Sequence, residues 1–272
     1  MNKFSLEGLH VNNLIEISIT AGKAIMEIYK SDFNINLKSD KSPLTQADIL
    51  SNDIIISSLN KITPNTPIIS EESSNIPFEE RCKWKEYWLI DPLDGTKEFI
   101  KKNGDFTTNI ALIRNNKPIF GIIHAPDRDE TYWGSVENGC YFLKGDSFED
   151  SKEINVSAND SSMLRIVSSA SHPSTYLSNV LDKINNYELI TAGSSLKFCM
   201  IAKGDADCYP RLGLTSEWDT AAGDVIARSA GAYTFALDGM QLKYNQNKEG
   251  YLNPHFIVTN SLETKEMILS LI

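Results

Sequence analysis

Two aspartates three residues apart, Asp91 and Asp94, lie in the stretch W-L-I-D-P-L-D-G-T-K-E-F from Trp88 to Phe99 and can offer hard oxygen ligands to a cation. An apolar, aromatic run delivers the chain to Asp91. Pro92 fixes its own φ and biases Asp91 towards an extended backbone, while Gly95 permits a backbone shape that a side chain would forbid. Thr96 is then placed to open a helix, so that the N–H groups of Thr96, Lys97 and Glu98 point outward beside the two acids. Carboxylates for cations next to N–H donors for an anion suit a phosphate bridged by metal ions.

Other acids join this pair only in company. Glu71 and Glu72 end the apolar segment Thr66 to Ser70 and, taken alone, read as solvated charge. Asp48 follows Thr45 at the spacing of a capping box. Asp219, in W-D-T-A-A-G from Trp218 to Gly223, reads alone as a plain helix N-cap, with small residues after it that allow close packing. Together, Glu71, Asp91, Asp94 and Asp219 make a set of oxygen donors, and no His-rich or thiol cluster accompanies them. That chemistry favours Mg²⁺ over zinc. In Gly193-Ser194-Ser195-Leu196-Lys197 a Gly-Ser turn enters a helix with a lysine in its first turn. A cation there opposes the helix dipole, which points to an anionic ligand. Arg211 and His172 each read alone as surface or structural residues. The histidines lack H-E-x-x-H spacing, and there is no Walker loop, G-x-G-x-x-G or nucleophile elbow.

The elements that must hold these residues follow from periodicity. Apolar positions from Leu6 to Ile28 recur at helical spacing, and a second helix runs through Ile49 to Ile62. Strands are expected at Thr66 to Ser70, at the run ending in Asp91, and at 107 to 114 and 117 to 126 around an Asn-Asn turn. Shorter strands follow at Thr131 to Val136 and Cys140 to Leu143, and the polar stretch Gly145 to Ser162 reads as a junction between lobes. The second half alternates strand and helix: strands at Leu164 to Ser168, Tyr187 to Thr191, Ala206 to Tyr209, Ala232 to Leu237 and Phe256 to Thr259, with helices near Ser174 to Ile184, Ser194 to Lys203 and Asp219 to Ala230 and at the end. The expected fold is a layered α/β unit, with an α+β lobe over about 1–148 and an α/β lobe over about 149–272.

Composition narrows the partners. The chain of 272 residues, 41% hydrophobic, is long enough for one large unit with a substantial core. A formal charge of -10 without a long Lys/Arg run argues against a nucleic acid polymer or an anionic membrane as the main partner. A small anionic substrate stays open, because divalent cations reverse the local field of an acidic pocket. The four cysteines form no C-x-x-C pair and read as reduced, and no apolar run reaches the roughly 18 residues of a membrane span. The default compartment is the cytoplasm.

The motifs D-P-L-D-G-T at 91–96, I-S-E-E-S at 69–73 and W-D-x-A-A-G at 218–223, in this order, resemble the inositol monophosphatase superfamily of Li⁺-sensitive, Mg²⁺-dependent phosphatases. Within it, K-S-D-K-S-P-L-T-Q-A-D at 38–48, Lys97-Glu98, G-S-S-L-K-F-C at 193–199 and Y-P-R at 209–211 look most like the CysQ-type 3'(2'),5'-bisphosphate nucleotidase branch. The resemblance implies a layered αβαβα sandwich and removal of the 3'-phosphate from adenosine 3',5'-bisphosphate, linked to sulfate assimilation. It implies two Mg²⁺ ions, with a third, weaker ion near Glu71. One would be held by Glu71, Asp91 and the Leu93 carbonyl, the second by Asp91, Asp94 and Asp219. Asp48 and Thr96 would orient the attacking water. The substrate would meet Glu71, Leu93, Asp94, Gly95, Thr96 and Asp219, with Ser194, Ser195, Lys197, His172 and Arg211 serving a second phosphate or the nucleotide. One departure is Ser169-Ala170-Ser171-His172, where that branch often has Arg at the second position. An inositol or sugar phosphate phosphatase using the same metals is the first alternative, and a non-catalytic binding module a remote one. A monomer or homodimer is expected, with peripheral membrane association left open.

Overall fold

The computed structural model describes residues 5–6, 9–33, 35–37, 43–158, 163–169 and 175–271. Two sheets carry the fold. The larger has strand order Lys152–Ile154, Gly139–Lys144, Glu130–Ser135, Lys117–Ala125, Thr107–Arg114, Glu86–Asp94, Ile68–Ser70. Its neighbours are antiparallel except for the last pair, which is parallel. The smaller sheet runs Tyr187–Thr191, Leu164–Ser168, Cys208–Arg211, Phe256–Thr259, Tyr233–Ala236, with both parallel and antiparallel pairs.

Period-two burial explains the layers. Along Glu86–Asp94, Trp88 and Ile90 face the helices Val11–Tyr29 and Gln46–Ile62 in one core, together with Leu14, Ile15, Ile55 and Leu59. Tyr87 and Leu89 face the opposite way, into a core shared with helices Leu196–Lys203 and Ala221–Ser229 and with Val167, Tyr209 and Val258 of the smaller sheet. A strand buried on both faces reads as a continuous apolar run, as this one does. The far face of the smaller sheet buries Ile166, Cys208, Phe235 and Ile257 against Leu181 and Ile268 of the helices Thr175–Leu181 and Leu262–Leu271. The order is therefore helix, sheet, helix, sheet, helix, the layered α/β fold expected.

The two middle helices approach closely at Gly223. A Cβ on Gly223 would come within 2.4 Å of the Phe198 ring, so only glycine lets the two middle helices approach this closely. Asn115 and Asn116 both take positive φ, 50° and 62°, which gives the tight hairpin turn between Thr107–Arg114 and Lys117–Ala125.

Several boundaries differ from expectation. The first helix begins at Val11, not Leu6, because Ser5–Leu6 pairs antiparallel with Leu9–His10. The polar stretch after Gly145 is not all connection: Lys152–Ile154 adds a strand to the edge of the larger sheet, where one face needs no apolar residue. Among the described residues no helix is long and apolar enough to cross a membrane.

Candidate active site

The Asp-Pro-Leu-Asp segment sits at the end of strand Glu86–Asp94, against strand Thr107–Arg114. In a regular strand, residues three apart face opposite sides of the sheet. Here Asp91 pairs with Asn109 and Asp94 with Thr107, so three steps on one strand meet two on the other. This bulge brings both carboxylates to one side. Leu93 N–H donates to Asp91 Oδ1 at 3.0 Å and fixes the turn. Gly95 follows with φ +89°, and a Cβ there would lie 2.9 Å from the Asp105 carbonyl oxygen. Thr96–Ile100 then forms one short helix, as the Gly-Thr step suggests.

Asp219 arrives from the opposite sheet. It does not cap the helix, which starts at Ala221, but closes the turn before it by accepting the Ser216 N–H at 3.0 Å. One segment holds that turn: Tyr251 carbonyl accepts the Glu217 N–H at 2.7 Å, and Asn253 Nδ2 donates to the Ser216 carbonyl and the Thr220 hydroxyl at 2.8 Å each. The same segment reaches the larger sheet, where Tyr251 hydroxyl donates to the Ser74 carbonyl at 2.9 Å beside the 3-10 turn Glu71–Ser73.

One carboxylate oxygen from each of Asp91, Asp94 and Asp219 lies within 4.8 Å of the others. Glu71 lies near enough for its charge to act on Asp91. Burial, then the charges of Glu71, Asp94 and Asp219, holds the Asp91 carboxyl well above the usual range. Burial, then Asp94 and Glu71, does the same to Asp219. Burial lifts Asp94 to about 6 despite Lys197 and the Ser195 N–H. Among the described residues, no lysine or arginine forms an ion pair with these three aspartates. Crowded oxygen donors without a cation from the chain fit a divalent oxygen-seeking ion.

Asp48 does two jobs. Its Oδ2 accepts the Thr45 N–H at 2.7 Å and hydroxyl at 2.6 Å, completing the capping box of helix Gln46–Ile62. Its Oδ1 accepts the Thr96 hydroxyl at 3.2 Å. The helix presents Ser51 one turn on, whose hydroxyl donates to the Pro92 carbonyl at 2.7 Å and docks the acid turn.

These groups open on a cavity of about 260 Å³ that Glu71, Asp91, Leu93, Asp94, Gly95, Thr96, Asp219, Ser194, Lys197 and Arg211 all line, with Ser169 and Tyr209. Lys197 is 4% exposed and donates to the Ala192 carbonyl at 3.4 Å and to the Ser194 carbonyl. Burial pushes its ammonium down to about 8, against the pull of Asp94. Arg211 grips its own loop through the Thr215 hydroxyl and the Leu214 carbonyl. Ser195 is turned away from the cavity: its N–H donates to Asp94 Oδ2 at 2.6 Å and its hydroxyl to Asn109 Oδ1 at 2.7 Å. It therefore neither caps its helix nor lines the pocket with its side chain. His172 and Ala170 lie outside the described residues.

Sequence reasoning missed Thr107, Asn109, Tyr251 and Asn253. The run Thr107-Thr108-Asn109 did carry a signal, three polar residues, all of them buried, opening a strand that continues with the apolar run Ile110 to Ile113. Tyr251 and Asn253 carried none, since their partners are distant in sequence.

The sequence profile of the inositol monophosphatase family matches residues 10–272. The 3'(2'),5'-bisphosphate nucleotidase CysQ of Buchnera aphidicola is 43% identical over 249 residues, covering 90% of this chain and 92% of that one. The enzyme of the same name from Escherichia coli K12 is 40% identical over 251 residues, covering 92% and 99%. The crystal structure of CysQ from Bacteroides thetaiotaomicron, described as a bacterial member of the inositol monophosphatase family, superposes with a TM-score of 0.80 at 38% identity, covering 92% and 97%. With the family profile spanning nearly all of the sequence and such relatives matched over most of their length, this chain belongs to the inositol monophosphatase family.

Proposed function

We propose that this protein is a Mg²⁺-dependent 3'(2'),5'-bisphosphate nucleotidase that hydrolyses adenosine 3',5'-bisphosphate to AMP and phosphate. The observation that carries the reading is the convergence of Asp91, Asp94 and Asp219 from two sheets on one cavity, with no chain cation paired to them among the described residues. The names of the relatives supply the substrate class.

Glu71, Asp91 and the Leu93 carbonyl would hold one Mg²⁺, and Asp91, Asp94 and Asp219 a second. Ions held there would supply polarisation of the phosphoryl oxygens, a lowered pKa for water and charge to stabilise the leaving oxygen. The rest is work for the chain. Thr96 donates its hydroxyl hydrogen bond to Asp48 Oδ1 and so leaves its oxygen lone pairs free to accept a hydrogen bond from the attacking water and orient it. Asp48 keeps that direction because its other oxygen is tied to Thr45. Lys197 and Arg211, which line the same cavity, supply positive charge for the second phosphate of a bisphosphate.

Phosphate release from adenosine 3',5'-bisphosphate and from inositol 1-phosphate, each with Mg²⁺ and with or without Li⁺, tests the reading. Faster release from the nucleotide, suppressed by Li⁺, is expected; the reverse ranking would keep the metal chemistry and reassign Lys197 and Arg211.

A further inference from the structure

Asp94 is held from behind by groups that face neither solvent nor substrate. Its Oδ2 takes the Ser195 N–H at 2.6 Å and the Asn109 Nδ2 at 3.4 Å, while Asn109 Oδ1 accepts the hydroxyls of Ser195 at 2.7 Å and Thr107 at 3.1 Å. The Thr107 and Ser195 hydroxyls are themselves 2.7 Å apart. Chemistry fixes the amide's orientation, because an ionised carboxylate accepts only and must face the NH₂, leaving the amide oxygen to the hydroxyls. Asn109, Thr107 and Ser195 are each no more than 1% exposed. A buried network of this kind is either complete or costly. This one spans the molecule: Thr107 and Asn109 share a face of the larger sheet, opposite Asp94 and Asp91 in register, whereas Ser195 belongs to the loop that leads to Lys197. Gly193 N–H is anchored beside it, donating to Asp105 Oδ2 at 2.9 Å. Ser194, between them, takes φ +42°, a left-handed conformation that the neighbouring bonds must hold for an L residue.

We propose that Asn109 is a positioning residue that locks Asp94 with one oxygen left for the cation, and ties that carboxylate to the 193–197 segment. Cation binding and the seating of a phosphate against that segment then reinforce each other. The first half stands on geometry alone; the second rests on the nucleotidase reading given above. No other small side chain does both tasks. Asp in its place would set a further carboxylate against Asp94, and Leu would remove the acceptor that both hydroxyls share and leave one carboxylate oxygen short of a donor.

The test is calorimetric titration of the substrate-free protein with Mg²⁺ alone, for the parent, Asn109→Leu and Ser195→Ala, followed by KM for adenosine 3',5'-bisphosphate at saturating Mg²⁺. Partners that orient ligands typically change metal affinity by about 10- to 100-fold. Asn109→Leu is expected to weaken Mg²⁺ about tenfold or more, and Ser195→Ala, which keeps the N–H bond to Asp94, by roughly threefold. Both should raise KM for the bisphosphate. A folded Asn109→Leu whose Mg²⁺ affinity stays within about twofold of the parent overturns the positioning role. Should that variant not fold, an unchanged Mg²⁺ affinity in Ser195→Ala overturns it instead. Weakened Mg²⁺ binding with an unaltered KM overturns the coupling to the loop. If the parent releases no phosphate from the nucleotide, the functional reading fails while the Mg²⁺ titration still decides the role of Asn109.

Discussion

Two sets of buried acids in this molecule are built on opposite principles. Asp207 is 2% exposed and carries its own cation: Arg165 reaches both its oxygens, at 2.7 Å and 3.0 Å, while Ser157 and Asn260 donate at 3.0 Å each. Burial alone would raise its carboxyl, but the Arg165 bonds outweigh burial and hold it below the ordinary value. Asp91, Asp94 and Asp219 have no such partner among the described residues, and burial with mutual repulsion holds all three up. The first set is finished by folding. On the function proposed above, the second is finished by a cation from solution, and that difference would separate a structural polar cluster from a functional one in a way that burial and composition do not.

The sharpest way to break the contrast is to neutralise the shared acid. Asp91→Asn is expected to lower phosphate release at least ~10²-fold, as loss of a group that stabilises transition-state charge does. The metal-free protein should meanwhile melt higher, because one of the crowded charges has gone. Conversely, Arg165→Ala leaves Asp207 short of its cation and should cost about 3 kcal/mol in denaturant unfolding, with Mg²⁺ affinity unchanged. The range for fully buried pairs is discounted slightly, since the Arg165 side chain is 28% exposed.

The two sets also answer pH with opposite sign. Asp94 titrates near 6 when folded, above its ordinary 3.8, so its share of stability is present below about 3.8 and is lost as pH rises through 6. Asp207, depressed, contributes stability above its ordinary value that is lost as pH falls. Melting in chelator should therefore show a loss between about pH 4 and 6 that added Mg²⁺ removes, stabilising by about 2.7 kcal/mol at a hundredfold excess over Kd. A metal-free melting curve that is flat over this range would show that the acid set is not strained. The smallest effect belongs to the scaffold. Ser51→Ala, which deletes the hydroxyl on the Pro92 carbonyl, should cost about 1 kcal/mol and reduce activity only modestly.

Much of this was legible beforehand, for reasons that particular residues display. Strand Tyr187–Thr191 and the turn at Asn115-Asn116 follow from local pattern, and the acids stand out because carboxylates at the end of an apolar strand have no packing reason to be there. Asp48 shows the limit of such reading: spacing reads it as a capping residue and the resemblance sets it beside Thr96 at a water, and the carboxylate bonds Thr45 through one oxygen and Thr96 through the other. Ser195 shows another. Its place at a helix start suggested a cap or a substrate contact, but long-range bonds to Asp94 and Asn109 claim it. No local pattern predicts a partner 101 residues away.

The Tyr251–Asn253 segment has one consequence for how the chain could be divided. It fastens the turn before Asp219 and, through Ser74, the turn that carries Glu71, so acids from both sheets share one clasp. A fragment holding either sheet alone would own part of the ligand set and none of the clasp's full grip. Recovered activity from two mixed fragments would thus report their docking, making phosphate release a natural sensor of assembly.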